Sequence, residues 1–158
     1  MKKWNLLAMV FVLSALLCLV DIGAAYSGGK MTDLGTLPGG TVSFAYSINN
    51  NGQIVGQSST DSGQRHAFSY LGSTMTPLVT VPGWTFSLAR GINNSGQIVG
   101  YGYGAHSTLN LAFKYLESTM TPLVNPPGGT FSLASGINDN GQIVGYADTT
   151  GGNYRAFS

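Results

Sequence analysis

Beyond residue 25, the histidines and carboxylates that could do acid–base chemistry are few: His66, His106, Asp33, Asp61, Glu117, Asp139 and Asp148. Hydrolysis needs a nucleophile, a base and an orienting group that converge. Spacing alone does not exclude a triad, since its members need not be sequence neighbours, but no serine stands in a nucleophile-elbow pattern. The reading is therefore a non-enzyme with no catalytic residues. Asn138-Asp139-Asn140-Gly141 superficially matches a calcium loop, yet it supplies one carboxylate and lacks the downstream bidentate Glu such loops use. No metal ligands are assigned. Gly100-Tyr101-Gly102-Tyr103-Gly104 lacks the Lys and the following helix of a phosphate loop, so no cofactor is expected. What remains is aromatic. Trp84 stands where the related positions carry Gly40 and Gly129, and Tyr101 and Tyr103 fall in a glycine-rich stretch. Large rings at loop positions stack on sugars or pack at subunit contacts. Trp84, Tyr101 and Tyr103 are the candidate ligand-binding residues.

The setting of these residues follows from composition. Of 158 residues only 8% are charged, 23 are glycine and one is cysteine, with a formal net charge of +1. A basic face for nucleic acid or anionic lipid is absent from such a sequence. Lys2 and Lys3 precede an apolar run from Leu6 to Val20, which as a helix would cover about 22 Å against the roughly 30 Å of a bilayer core. Small residues follow at Gly23, Ala24 and Ala25. Residues 1–25 thus read as a secretory signal peptide, leaving 26–158 as a single secreted domain with no membrane attachment. The lone Cys18 lies inside that leader, behind the bulky Leu17 where lipid-modification signals want a small residue. The mature chain has no cysteine, so strand pairing and packing must supply its stability.

Repetition organises that domain. Gly-Gln-Ile-Val-Gly occurs at 52–56, 96–100 and 141–145, Ser-Thr-Met-Thr-Pro-Leu-Val at 73–79 and 118–124, and Thr-Phe-Ser-Leu-Ala at 85–89 and 130–134. The units are 31–74, 75–119 and 120–158. Each carries four strand signals. In the first strand, Val42, Phe44, Tyr46 and Ile48 share one face by strict alternation, with a small uncharged face opposite. Asn-Gly pairs at 51–52 and 140–141, with Ser95-Gly96 between, predict tight hairpins in which both central residues take positive φ. The second strand, around Ile54-Val55, is apolar on both faces and predicts burial. A third strand includes Ala67-Phe68-Ser69-Tyr70, and a fourth carries Pro77 or Pro122 and so belongs at an edge.

The expected fold is all-β: tandem four-stranded antiparallel repeats resembling about three blades of a β-propeller. The chain enters at a fourth strand, 30–34, and ends after a third, 155–158, so these two segments are expected to complete one blade. Closed propellers need four or more blades. A six-bladed ring from a homodimer, an open piece of a longer array, or a threefold β-trefoil or β-prism are the alternatives.

His66-Ala67-Phe68, Met-Thr-Asp-Leu-Gly-Thr-Leu-Pro-Gly-Gly at 31–40 and the Ile-Asn-x-x-Gly-Gln-Ile-Val-Gly runs resemble the bacterial HAF extracellular repeat. The resemblance covers nearly all of 26–158. It departs at His66, replaced by Leu111 and Arg155 in the other copies. It implies an exported bacterial β-repeat protein without an established enzymatic activity. The functional expectation is a binding or scaffold module at the cell exterior, with a polysaccharide or protein ligand. A self-associating structural repeat is the alternative, and a hydrolase using His66 or His106 is third.

Overall fold

The computed structural model describes residues 29–158, so the expected leader lies outside the described residues. Leu34–Ser158 form one compact body. Every regular element among the described residues is a strand. The proline-bearing strands pair back onto the third strand before them, so they belong with that strand, and units 1 and 2 run past 74 and 119 to include them. Unit 1 contains β1 (Ser43–Ile48), β2 (Ile54–Ser59), β3 (Arg65–Leu71) and β4 (Thr74–Pro77). Unit 2 contains β5 (Trp84–Ile92), β6 (Ile98–Gly104), β7 (Leu111–Leu116) and β8 (Thr119–Pro122). Unit 3 contains β9 (Ser132–Ile137), β10 (Ile143–Asp148) and β11 (Tyr154–Phe157).

Within each unit, consecutive strands pair antiparallel. Proline-bearing β4 and β8 lie at edges, where a missing N–H costs no ladder bond. Neighbouring units are stitched at one corner by a single parallel pair, Arg65 with Phe86, then Asn110 with Phe131. The sheets otherwise meet through their faces. Val55 and Ala67 of unit 1 share a core with Ala89, Ile92, Ile98 and Phe113 of unit 2. Val99 and Ala112 of unit 2 do the same with Ala134, Ile137, Ile143 and Phe157 of unit 3. A serine hydroxyl crosses each seam: Ala67 N–H donates to Ser87 Oγ at 2.9 Å, and Ala112 N–H to Ser132 Oγ at 2.8 Å. These groups are buried, where an unmade bond would cost about 1–3 kcal/mol.

Three expectations change. Alternation along the first strand breaks at a bulge: β1 pairs Phe44 with Gln57 but Ile48 with Ile54, the register slipping between Ala45 and Ser47. Gln57 and Ile54 point to opposite sides of β2, so Phe44 and Ile48 do too. The same slip recurs between Ala89 and Gly91, and between Ala134 and Gly136. Second, only the glycine of each Asn-rich turn takes positive φ, as at Gly52, Gly96 and Gly141. Gly52 N–H bonds Asn49 O while Asn49 N–H bonds Gln53 O, the pattern of a three-residue loop closed by a left-handed glycine. The primed turns lie elsewhere, at Gly72-Ser73 and Glu117-Ser118, where both residues have positive φ. Third, Lys30–Leu34 is not a strand, and β11 pairs only with β10 among the described residues. β4 and β8 form because a tight turn folds each back on its own third strand.

The turns of successive units are tied by a one-way ladder. Asn49 Nδ2 donates to Asn93 O, and Asn93 Nδ2 to Asn138 O, each at 3.0 Å. Asn50 N–H donates to Asn94 Oδ1 and Asn94 N–H to Asp139 Oδ1, each at 2.9 Å. The donor always belongs to the earlier unit.

Candidate functional site

The register of β5 and β6 assembles the site. Phe86 lies opposite Tyr103 and Leu88 opposite Tyr101, so these four share one side of the sheet, with Gly100 and Gly102 on the other. Phe86 stacks on Tyr103 with centroids 4.7 Å apart and planes 12° apart, and sits 5.5 Å from Tyr101. Tyr101 reaches across the seam to Phe131 at 6.0 Å. Phe131 stacks with Tyr146 at 5.8 Å and meets Tyr154 edge-on at 5.7 Å. The six rings form an unbroken row across units 2 and 3, half-buried at Phe86 and exposed at Tyr154. On the unit 1 side, the Arg90 guanidinium lies 5.4 Å over the Tyr46 ring, within cation–π range. Gln57 Nε2 donates to Tyr46 Oη at 3.3 Å. The row lies at the ends of the strands remote from the asparagine turns.

Electrostatics act on Tyr101 at the centre of the row. Burial pushes the Tyr101 phenol above its usual value, the neighbouring Tyr103 adds to the shift, and Arg90 opposes it. Tyr101 is a neutral hydroxyl at physiological pH, able both to donate and to accept. Rings with such tips present an apolar body beside a polar handle.

The structure brings Tyr101 and Tyr103 together and places Trp84 apart. The Trp84 indole packs against Gly102 on the opposite side of β6, where a Cβ would overlap its ring, and lies 6.3 Å from Phe113. It fills the seam between units 1 and 2. In unit 3 the matching residues are Gly129 and Ala147. A cavity of about 350 Å³, lined among others by Ala112, Leu123, Ile143, Ala147 and Phe157, opens there. Sequence reasoning missed Phe86, Phe131, Tyr146, Tyr154 and Arg90. A signal was present, since the residue after each Gly-Gln-Ile-Val-Gly is Gln57, Tyr101 or Tyr146.

The titratable residues go elsewhere. His66 Nε2 lies 3.2 Å from Gln64 Oε1, its Nδ1 is buried without a partner, and burial lowers its pKa. His106 is exposed in the β6–β7 loop. No group of three or more His, Cys, Asp or Glu side chains is placed to hold a metal among the described residues. Asp139 accepts from Asn94 N–H at 2.9 Å and Asn94 Nδ2 at 2.8 Å. Asp148 accepts from the N–H groups of Thr130 and Phe131, each at 2.7 Å, and from Thr130 Oγ1 at 2.9 Å. Both carboxylates are held below their ordinary value, Asp148 chiefly by the Phe131 N–H and Asp139 chiefly by the Asn94 N–H.

A pH dependence follows. A carboxylate whose folded pKa lies below its unfolded value of 3.8 contributes stability above that value, and the contribution is lost as pH falls through the folded pKa. Thermal melts recorded from about pH 5 down to about pH 2 should fall in midpoint, and Asp148→Asn should flatten part of that slope. A variant with an unchanged acid slope would show that Asp148 does not anchor β9.

No family model, no curated protein and no solved structure matches the chain.

Proposed function

We propose that this chain is an exported bacterial repeat protein of the HAF kind, a non-enzymatic binding module at the cell exterior that takes an extended polysaccharide along its aromatic row. The three units are read as propeller-like blades, stacked face to face. The observation that carries the reading is the continuity of the row: Tyr103, Phe86, Tyr101, Phe131, Tyr146 and Tyr154 touch in that order across a seam between repeats. Successive sugar rings of a polymer need successive platforms, and repeats supply them. Neutral phenols beside apolar ring faces suit uncharged hydroxylated ligands.

Titration calorimetry of the purified protein against a panel of soluble glucans, xylans and chitin oligomers tests this. Binding is expected to weaken about three- to tenfold in Tyr103→Ala, the loss of one stacking contact. Trp84→Phe, altered on the opposite side of the sheet, should bind as the parent does. Absence of heat with every polymer, or undiminished binding by a Tyr101→Ala/Tyr103→Ala double variant, would sink the polysaccharide reading.

A further inference from the structure

Among the described residues, the seam between units is built twice from the same positions, and each half of it is exposed once, on the outer faces of units 1 and 3. On the donor side, Val55 and Val99 are 0% exposed within their seams, whereas the matching Val144 is 50% exposed. Ala67 and Ala112 are buried and the matching Ala156 is exposed. Val144 alternates along β10 with Ile143 and Gly145, whose side faces unit 2, so it belongs to the outer face of unit 3. On the acceptor side, Ile92 is 7% exposed against unit 1, whereas the matching Ile48 is 62% exposed. Ala89 and Ala134 are buried and the matching Ala45 is exposed. Ile48 pairs with Ile54 and Ala45 with Gly56, which alternate with the inward Val55, so both lie on the outer face of unit 1.

The asparagine ladder is cut at the same two places. Asn93 Nδ2 makes two bonds, one to Gln97 Oε1 in its own turn at 2.8 Å and one to Asn138 O in the next unit. Asn138 Nδ2 makes the first kind, to Gln142 Oε1 at 2.7 Å, and has an amide hydrogen left for the second. At the other end, Asn93 O and Asn138 O each accept from a turn glycine and from an earlier asparagine. Asn49 O accepts from Gly52 N–H and retains a lone pair for the earlier asparagine. Apolar surface and hydrogen-bonding groups are thus complementary between the two ends, in the register that the internal seams already use. Neither set of positions carries a side-chain charge except Asp139, whose counterparts at the ladder step are Asn50 and Asn94.

We propose that the outer face of unit 3 seats the outer face of unit 1 of a second copy of this chain, head to tail, with Val144 and Ala156 of one copy against Ala45 and Ile48 of the next. Asn138 Nδ2 donates across the junction to Asn49 O, and Asp139 N–H to Asn50 Oδ1. Tyr146 then faces Val42 of the next copy as Tyr101 faces Phe131 within the chain. The contact is heterologous, so it closes into a ring or continues as a filament according to the rotation per copy. The assembly is argued from the end faces alone and stands apart from the polysaccharide reading.

Sedimentation velocity on the full chain over a concentration series tests it. The parent is expected to sediment at twice the single-chain mass or more. Val144→Lys and Ile48→Lys, each at an exposed site, should keep the parent's strand spectrum and melting profile and lose association by more than about tenfold, because each buries an unpaired ammonium at the junction. Mixing the two variants is the decisive arm. Each retains one intact end, so the mixture should form a capped dimer that neither forms alone. A parent that stays monomeric throughout, association that survives Val144→Lys, or a mixture that remains monomeric would each overturn the proposal. Loss on Val144→Lys alone, with Ile48→Lys unaffected, would overturn it in favour of a symmetric contact.

Discussion

Phe113→Ala should lower the stability of the protein by about 3–5 kcal/mol, the cost of deleting a fully buried phenyl from a seam that cannot collapse. Phe113 has no solvent exposure and belongs to a cluster that draws Val55, Ala67 and Leu78 from unit 1 and Ile92, Ile98 and Met120 from unit 2. It lies opposite Gly100 in the β6–β7 register, with the Trp84 ring 6.3 Å away. The backbones around it are fixed by ladders on both sides, so the surroundings have little freedom to close over the hole. Urea denaturation monitored by circular dichroism measures the loss. Phe157→Ala is the natural comparison. That ring is half-buried and already lines the cavity of about 350 Å³ in unit 3, so its removal should cost distinctly less. Equal costs at the two sites would show that the units do not share a core as their packing indicates.

The second large effect is expected from adding a single methyl. Gly100→Ala would drive its Cβ into the Leu88 carbonyl oxygen, and backbone, unlike a flexible side-chain tip, has nowhere to swing. Gly56 meets the Phe44 carbonyl and Gly145 the Leu133 carbonyl in the same way. None of these glycines has positive φ, so what excludes other residues is close approach and not backbone conformation. Each lies beside the bulge of the first strand, where the extra residue twists the chain toward its neighbour. Overpacking of this kind costs about 1–3 kcal/mol, and more where the obstacle is main chain. Gly136→Ala provides the contrast, since a Cβ there meets only Val144 Cγ2 at an ordinary 3.6 Å. Thermal melts of the two variants should differ clearly. If Gly100→Ala melts with Gly136→Ala, the strands at the bulge have room that their geometry denies.

The sequence made the strands, their order and the edge position of Pro77 and Pro122 legible, because those depend on local alternation and on one missing N–H. Alternation misled at Tyr46. A bulge inserts one residue without changing the composition, so Phe44 and Ile48 look like neighbours on a face when they point apart. Trp84 misled for a related reason. Whether a large ring is surplus or structural depends on the space across from it, and here that space is made by Gly102 on another strand. Tyr101 and Tyr103 were found as chemically notable residues, yet the row they join needs Phe131 and Tyr146 from the next unit. Rings separated by dozens of residues become neighbours where the stitch between Asn110 and Phe131 and the packed faces join units 2 and 3. The asparagines were read as turn formers, which they are. Their bonds to the next turn are invisible in one dimension because any turn asparagine has the same local spelling.

The direction of those asparagine bonds gives the molecule a polarity, with a giving end and a receiving end. Because every junction uses the same donor and acceptor positions, a tandem gain or loss of one whole period leaves each surviving junction with matched partners. Genetic slippage by a repeat length can therefore lengthen or shorten the array without creating a faulty joint, whereas a slip by any other length breaks the match at once.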